Sequence, residues 1–319
     1  MERPWPDEAV DFQAAVDGAL SRLGGIEFTR RVEAQPSLRD GELRDALADL
    51  GLLDLDVHGS PVEAAAAARA MLAAGAVVCP WPLVQHLAVP VALRDRIDRV
   101  YLSDRDMRRA EHLDLEGRSV ALDLVSGEVR ELSALGAVSH APLDPFGVTC
   151  ELGSVAEDEL NGALGVHVVL AAFWVLGALG QARDLAVAYA KERRQFGTRI
   201  ADFGGIQWHL SDLAVAHDGL WELASFSLGR MIDDRLLAAD VLALQLTTAE
   251  SAQAVMRHSH QVLGAIGLCE EHDVTLMNRH IQPLVRRPCG TSRILGLLVE
   301  EISRSGFDSL YPVAATATA

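Results

Sequence analysis

The feature of this sequence that most restricts its fold is an almost uniformly apolar segment, GALGVHVVLAAFWVLGALGQA, from Gly162 to Ala182. It is long enough to cross a bilayer as a helix, but a helix that is apolar on every side is also what the centre of a helical bundle requires. Acidic residues precede it at 157–159, His167 lies near its start, and an amphipathic continuation extends its helical pattern to Arg194. These features favour a helix buried inside a soluble protein, and we expect no membrane span.

The composition predicts a helical protein that does not bind nucleic acid. Half of the 319 residues are hydrophobic and only 5% are aromatic, so the core should be rich in Ala and Leu, which are good helix formers. Lys and Arg total 28 against 45 Asp and Glu, a net charge of −17. Because no basic stripe interrupts this negative balance, nucleic acid is excluded as a partner and a phosphate-bearing ligand must be held by a few local donors.

The cysteines and the N-terminus indicate a cytoplasmic protein. The four cysteines are Cys79, Cys150, Cys269 and Cys289. They show neither CxxC spacing nor a paired histidine motif, which predicts no disulfide framework and no metal site. The N-terminus, MERPWPDEAV, opens with charges and prolines rather than with the apolar core of a signal peptide.

Residues 1–97 are predicted to form an N-terminal helical domain. Apolar spacing predicts two helices, each followed by a glycine stop: Phe12, Val16, Leu20 and Leu23 before Gly24, and Leu43, Leu47 and Leu50 before Gly51. In SPVE, Ser60 is the expected N-cap, Pro61 the first helical residue and Glu63 the partner in a capping box, which opens an Ala-rich helix through Leu72. The proline-rich CPWPLVQHLAVP then predicts a connection with room for a short helix.

Two further regions follow. Residues 98–157 are predicted to form a small, truncated β-rich domain, since Val120, Leu122 and Leu124 alternate with polar or small residues and FGVTCEL reads as another strand. About 60 residues are too few to be comfortable alone, so this domain should pack against its helical neighbours. Residues 158–306 are predicted to form a C-terminal helical bundle, and 307–319 a flexible tail. The bundle helices are expected at about 158–194, 206–232, 236–263, 274–282 and 292–302.

The segment YAKERRQFG, Tyr189 to Gly197, ends the first long helix with a charged run and an aromatic residue. We interpret the charges as a solvated face and Gly197 as an ordinary helix C-cap. This interpretation does not account for Phe196, a large aromatic side chain at the exposed end of the helix.

Followed by TRIADFGGIQWHLSDLA, this segment resembles the acyl-CoA dehydrogenase signature: Tyr-Ala, an Arg, Gln-Phe-Gly, then Ile, Phe, Gln and Leu-x-Asp-x-Ala. A second stretch, HQVLGAIGLCEEHDVTLMNRH, resembles the Gln-x-x-Gly-Gly-x-Gly-aromatic motif of that family and continues into a Glu-His-Asp variant found in many actinobacterial members. The resemblance covers the C-terminal half, and over residues 1–157 it rests on ALADLGLLDL and on the order of the regions. It implies a mainly α, acyl-CoA dehydrogenase-like fold with a C-terminal four-helix bundle.

The resemblance also implies an FAD site shared between subunits, because in the family both motifs reach the FAD of a neighbouring subunit. Carried over position by position, the cofactor-binding residues are Arg193, Gln195, Phe196, Gln261, Gly264 and Gly267. A guanidinium pairs with a pyrophosphate through two parallel hydrogen bonds, and glycine lets backbone donors approach closely. On this interpretation Phe196 packs on a cofactor rather than facing water.

Two departures from the family pattern suggest that the chain does not enclose a flavin by itself. The flavin-cradling Thr-Glu-Pro-x-x-Gly-Ser-Asp type segment is not found between Ile97 and Asp158. In the second motif, Ala265 replaces the second glycine and Leu268 the aromatic residue.

The usual catalytic base is also missing. In the family, a glutamate removes the α-proton of the acyl thioester while hydride leaves the β-carbon for flavin N5, and that glutamate usually opens a Glu-Gly-Thr tripeptide. Here the tripeptide is CGT, with Cys289 in place of the glutamate, or Pro288 by strict counting. Some members instead carry the glutamate roughly seven helical turns before the motif arginine, which is at or near His167. A buried thiol stays neutral and a lone histidine is more typical of a core, so no catalytic residue is expected and His167 is the weak candidate.

Three interpretations follow. The favoured one is the non-catalytic subunit of a heteromeric acyl-CoA dehydrogenase, a heterotetramer of the actinobacterial steroid-degradation type. Its paralogous catalytic partner would supply the glutamate and most of the flavin cradle. An acyl-CoA, with room for a bulky steroid-derived one, would be the substrate, and electron-transfer flavoprotein or a similar protein the acceptor. The alternatives are a self-sufficient homo-oligomer with an unorthodox base, disfavoured by the missing cradle, and a cofactor-free helical scaffold, disfavoured by the two motifs.

Overall fold

The computed structural model describes residues 5–104, 107–156 and 158–306. Within these residues the chain forms ten α-helices and eight β-strands, six of which make one sheet. The predicted flexible tail at 307–319 lies outside the described residues.

The N-terminal region is helical, as predicted. Its helices are α1 (Asp7–Leu23), α2 (Ile26–Ala34), α3 (Glu42–Asp49), α4 (Pro61–Ala76) and α5 (Leu83–Leu87). Ser60 caps α4, since its Oγ accepts a hydrogen bond from the Glu63 N–H at 3.2 Å. The reciprocal half of the predicted capping box does not form, because the Ser60 N–H donates to the Asp56 carbonyl and Glu63 accepts from the Asp56 N–H instead. The helix also extends one turn beyond the predicted end.

The middle region is a small, mostly antiparallel sheet. Its strands are β1 (Arg99–Ser103), β2 (Arg109–Glu111), β3 (Ser119–Asp123), β4 (Val129–Ala134), β5 (Ser139–Ala141) and β6 (Asp144–Val155). The spatial order is β1-β3-β4-β6-β2, and β5 pairs with β6. Strands β1 and β3 are parallel, and the other pairs are antiparallel. The alternating pattern around Val120 is therefore confirmed as a strand.

The C-terminal region is a helical bundle built on one central helix. Its helices are α6 (Ala163–Glu192), α7 (Gly204–Ile232), α8 (Ala238–Leu263), α9 (Asp273–Arg286) and α10 (Thr291–Ser305). Helix α6 packs against α7 and α8 within the bundle and against α4 of the N-terminal region. Since α6 touches helices on several sides, it needs the all-round apolar surface seen in its sequence.

Helix α6 is long and apolar enough to cross a membrane, and it is the one helix among the described residues that meets this test. However, 83% of its most apolar window is buried inside the protein. That burial is what a core helix requires, in agreement with the prediction from its sequence.

Candidate functional site

The segment that follows α6 is a tight β-hairpin. Strand β7 (Arg194–Gln195) pairs antiparallel with β8 (Thr198–Arg199), and Phe196 and Gly197 form the turn with φ angles of 51° and 84°. Gly197 is therefore not the helix C-cap suggested by the sequence. It is the second residue of a two-residue hairpin turn, in which both central residues need a positive φ.

Phe196 combines an unfavourable backbone conformation with an exposed ring. A left-handed conformation costs a non-glycine residue roughly 1–2 kcal/mol. The side chain is 93% exposed, and its ring meets Phe203 edge-on with 6.3 Å between the ring centroids. Burial of the ring within the chain does not offset this cost.

Two guanidinium groups precede this ring in the sequence, and that of Arg193 has no carboxylate partner among the described residues. Arg193 and Arg194 are both exposed. The backbone of Arg193 is fixed on both sides, because its N–H donates to the Tyr189 carbonyl and its carbonyl accepts from the Ile200 N–H, each at 2.8 Å. In a chain with a net charge of −17, the guanidinium of Arg193 is thus an exposed cation without an ion-pair partner among the described residues.

The second motif ends α8 and continues into a 3₁₀ turn, Gly264–Leu268. Gln261 and Gly264 are exposed. Gly264 has a φ of 62°, and a Cβ at this position would meet nothing within 4 Å. The backbone conformation therefore favours glycine here, and the space beside it is open.

Gly267 differs from the other predicted cofactor residues, because packing within the chain explains it. It is buried, and a Cβ there would lie 2.7 Å from the Cβ of Leu263. Its carbonyl accepts a hydrogen bond from the Thr275 hydroxyl at 2.8 Å and lies 2.7 Å from His260 Nδ1. Gly267 thus stabilises the turn through contacts on its buried side.

The two motifs lie at the same end of the bundle. His209, near the start of α7, lies with its Nδ1 2.8 Å from Nδ1 of His258, near the end of α8. Ser259 of α8 also reaches the carbonyl of Ala182 in the second half of α6. Because the hairpin connects the end of α6 to the start of α7, it shares this end with Gln261.

Neither position expected for the catalytic base holds a group suited to that role. Burial lowers the pKa of His167 to about 4, and its Nδ1 has no hydrogen-bond partner. Burial, and secondarily Asp104, raises the pKa of the Cys289 thiol, which packs with Ile294 and Leu297 of α10. A weakly basic imidazole and a neutral thiol are both poor matches for proton abstraction near pH 7.

An ion-pair network around Arg287, two residues before Cys289 in the sequence, was not predicted from the sequence. Arg287 pairs with Glu111 of β2 and, at 2.6 Å, with Asp144 at the start of β6. Gln85 of α5 donates to Glu111 at 2.6 Å, so the network joins all three regions. The carboxylate of Glu111 is therefore held in place by Arg287 and Gln85. No local sequence signal could reveal the pair, because its members are 176 residues apart.

One cavity beside this network, the one lined by Glu111, is small. Its volume is about 40 Å³, and Gln85, Glu111, His112 and His280 contribute polar atoms to its wall. A space of this size holds water rather than an acyl group.

Comparison with known proteins identifies the fold. Residues 161–302 match the family described as acyl-CoA dehydrogenase, C-terminal domain. The ChsE4–ChsE5 complex from Mycobacterium tuberculosis is structurally similar, with a TM-score of 0.79, 16% identity, and 96% of this chain and 100% of that chain covered. The chain has the acyl-CoA dehydrogenase fold. A steroid acyl-CoA dehydrogenase, Tcur3481–Tcur3483, gives a TM-score of 0.77 at 18% identity, over 93% of this chain and 98% of the other.

Curated relatives match over shorter segments. The 3-sulfinopropanoyl-CoA desulfinase of Cupriavidus necator is 34% identical over 125 residues, which are 39% of this chain and 30% of that protein. Acyl-CoA dehydrogenase IpdE2 of Mycolicibacterium smegmatis is 29% identical over 166 residues, 50% of this chain and 45% of that protein. The chain thus spans between about a third and a half of the length of these relatives. Together, the comparisons show the acyl-CoA dehydrogenase fold and, over residues 161–302, similarity to the C-terminal domain of that family.

Proposed function

We propose that this chain is the non-catalytic subunit of a heteromeric, FAD-dependent acyl-CoA dehydrogenase. It contributes cofactor-facing groups to a flavin site whose base and flavin cradle belong to a paralogous partner chain. The observation that carries this proposal is the hairpin after α6, where Phe196 is 93% exposed in a left-handed conformation beside the unpaired Arg193. A scaffold without a cofactor has no use for either feature.

The exposed groups at this end of the bundle suit the phosphate-bearing and ring-bearing parts of FAD. Arg193 would neutralise pyrophosphate charge, and the amides of Gln195 and Gln261 would donate or accept hydrogen bonds. Gly264 leaves its backbone approachable, since a Cβ there would meet no neighbour within 4 Å. Phe196 would pack against an apolar face of the bound cofactor. FAD, when bound, supplies the hydride acceptor for α,β-desaturation of an acyl-CoA thioester.

The assignment of a non-catalytic role rests on the groups near the usual base positions. The pKa of His167 is lowered to about 4, and that of Cys289 is raised. Glu111, a carboxylate at the junction of the three regions, is paired with Arg287. Since none of these suits proton abstraction from a thioester, a partner chain must bring the base.

The similarity to two-chain assemblies supports a heteromer. The names ChsE4–ChsE5 and Tcur3481–Tcur3483 each join two chains, and the second is called a steroid acyl-CoA dehydrogenase. By analogy of fold, this chain would form a heterotetramer with a paralogous catalytic chain. The substrate of that complex would be a bulky, steroid-derived acyl-CoA. Electrons would pass from the reduced flavin to electron-transfer flavoprotein or a similar acceptor. The complex would be located in the cytoplasm.

The proposed heteromer is tested by measuring how much flavin is bound per protein chain. The chain expressed alone should be colourless or bind FAD substoichiometrically, whereas the complex recovered through a tag on this chain from its source organism should be yellow. We expect one flavin per heterodimer, measured by absorbance of the released flavin against protein. A yellow homo-oligomer with one flavin per chain would overturn the heteromer.

Arg193→Ala and Arg194→Ala provide a matched pair within the complex, because both remove one exposed guanidinium from the same hairpin. Arg193→Ala should weaken flavin affinity by loss of a charge-assisted hydrogen bond worth about 1.5–3 kcal/mol, while Arg194→Ala should retain it. Equal flavin retention in both variants after dialysis would show that Arg193 does not contact the cofactor.

A further inference from the structure

The turn that carries the second motif has little packing to hold its shape. Between α8 and α9, most residues of 264–272 are exposed, and Gly267 is the buried one. Ile266 and Leu268 are 46% and 72% exposed. An exposed turn keeps one conformation only if hydrogen bonds fix its backbone, because few apolar contacts do so.

Arg30, on α2 in the N-terminal region, supplies such hydrogen bonds from a distant part of the sequence. Its Nη1 donates to the Glu270 carbonyl at 3.2 Å, and its Nη2 donates to the Glu271 carbonyl at 2.8 Å. The same Nη2 lies 2.5 Å from Oδ1 of Asp273, the first residue of α9. One guanidinium therefore binds two successive carbonyls and the carboxylate that follows them.

This set of acceptors requires an arginine. A guanidinium presents five N–H donors in a rigid planar fork, whereas the lysine ammonium is a compact charge on a flexible stem. The Arg30 side chain is 20% exposed, and its Nε lies 3.3 Å from Glu27 of the same helix, which orients it. The opposite side of the turn is held at the Gly267 carbonyl by the Thr275 hydroxyl.

We infer that Arg30 is a positioning residue for the flavin site of the proposed function, on which this inference rests. From α2, it fixes the turn at 264–272, so that Gly264 faces the cofactor in one arrangement beside Gln261 at the end of α8. The N-terminal region thereby controls a site whose cofactor-facing groups lie in the C-terminal bundle.

Hydrogen exchange and flavin release test this inference with Arg30→Ala and Arg30→Lys. Arg31→Ala is the matched control, since Arg31 is the next residue on α2 and its guanidinium donates to the Leu23 carbonyl rather than to the turn. In the chain alone, amides of 264–272 should exchange at least about tenfold faster in Arg30→Ala, with Arg30→Lys intermediate and Arg31→Ala unchanged. In the complex, flavin release should accelerate several-fold in the same order.

The possible failures are distinguishable. Unchanged exchange in Arg30→Ala would show that Arg30 does not hold the turn. Faster exchange with an unchanged rate of flavin release would show that the turn does not position the cofactor, and the inference would be wrong while the proposed function remained. Absence of flavin from the unmodified complex would instead overturn the proposed function.

Discussion

At the scale of single residues, Phe196 is the clearest case of a side chain that does not contribute to the stability of the isolated chain. Its backbone lies in the left-handed region at a φ of 51°, where an asparagine or glycine is favoured, and its ring is almost fully exposed. Backbone strain concentrates at functional sites when the conformation serves a ligand or partner. The residue is therefore expected to reduce the stability of the free chain and to contribute only in the assembled complex.

Phe196→Asn tests this trade-off. It creates an Asn-Gly turn, so the chain alone should gain about 0.5–1 kcal/mol in unfolding free energy from relief of the strained turn. The complex should lose flavin more readily, because the aromatic ring is gone. Urea unfolding of the free chain and flavin release from the complex are the measurements. Lower stability of the free chain would mean that the ring packs within it.

The side chains at the usual base positions give a second prediction at this scale. Removal of a true general base commonly costs about 10²–10⁴ in rate. Cys289→Ala should leave the single-turnover rate of flavin reduction in the complex within a few-fold of the unmodified rate, because the thiol is neutral. His167→Ala should act mainly on stability, by opening a cavity in α6. A large loss of rate in either well-folded, flavin-loaded variant would assign catalysis to this chain.

At the scale of elements, the contact between α4 and α6 ties the N-terminal region to the bundle. The two backbones touch at glycines: a Cβ on Gly75 would lie 1.8 Å from the Trp174 carbonyl oxygen, and one on Gly177 would lie 2.1 Å from the Leu72 carbonyl oxygen. Such an approach leaves no room for any side chain, so the helix spacing depends on both glycines.

Gly75→Ala should therefore destabilise the chain by several kcal/mol, since a buried backbone atom must move to admit the methyl group. Gly296→Ala is the control, because a Cβ there would meet nothing within 4 Å and α10 should gain about 0.5–1 kcal/mol of stability from the better helix former. Chemical denaturation compares the two. Equal stability of both variants would show that α4 and α6 are farther apart than described.

At the scale of the whole molecule, buried neutral histidines make stability depend on pH. Burial lowers the pKa of His167 from 6.5 to about 4 and lowers those of His112 and His280 as well. A depressed folded-state pKa means that the unfolded chain binds the proton more readily. For His167, the contribution to stability is therefore complete above about pH 6.5 and is lost as the pH falls toward 4, and those of His112 and His280 change in the same direction.

His167→Leu isolates one part of this effect. Between pH 6.5 and 4 the unmodified chain should lose up to about 3 kcal/mol of unfolding free energy relative to the variant, from the shift of the His167 pKa to about 4. Parallel denaturation curves at pH 7, 5.5 and 4.5 measure the difference. A difference that stays constant with pH would mean that His167 is not buried in its neutral form.

Across these scales, the sequence alone determined the features that depend on local spacing and residue type. The long, uniformly apolar sequence of α6, the glycine stops of α1 and α3 and the alternation in β3 predicted elements that the structure contains. The two motifs and the missing glutamate were equally visible, because both are matters of residue identity.

Only the tertiary structure decided where the key side chains point and what they contact. Arg287 meets Glu111 across 176 residues, and Arg30 reaches the Glu270 carbonyl across 240. Gly267 is packed tightly against Leu263, and Phe196 and Gly197 form the turn of a hairpin rather than a helix cap. Such features depend on contacts between distant segments and on the direction in which a turn returns the chain, and neither is encoded in the spacing of neighbouring residues.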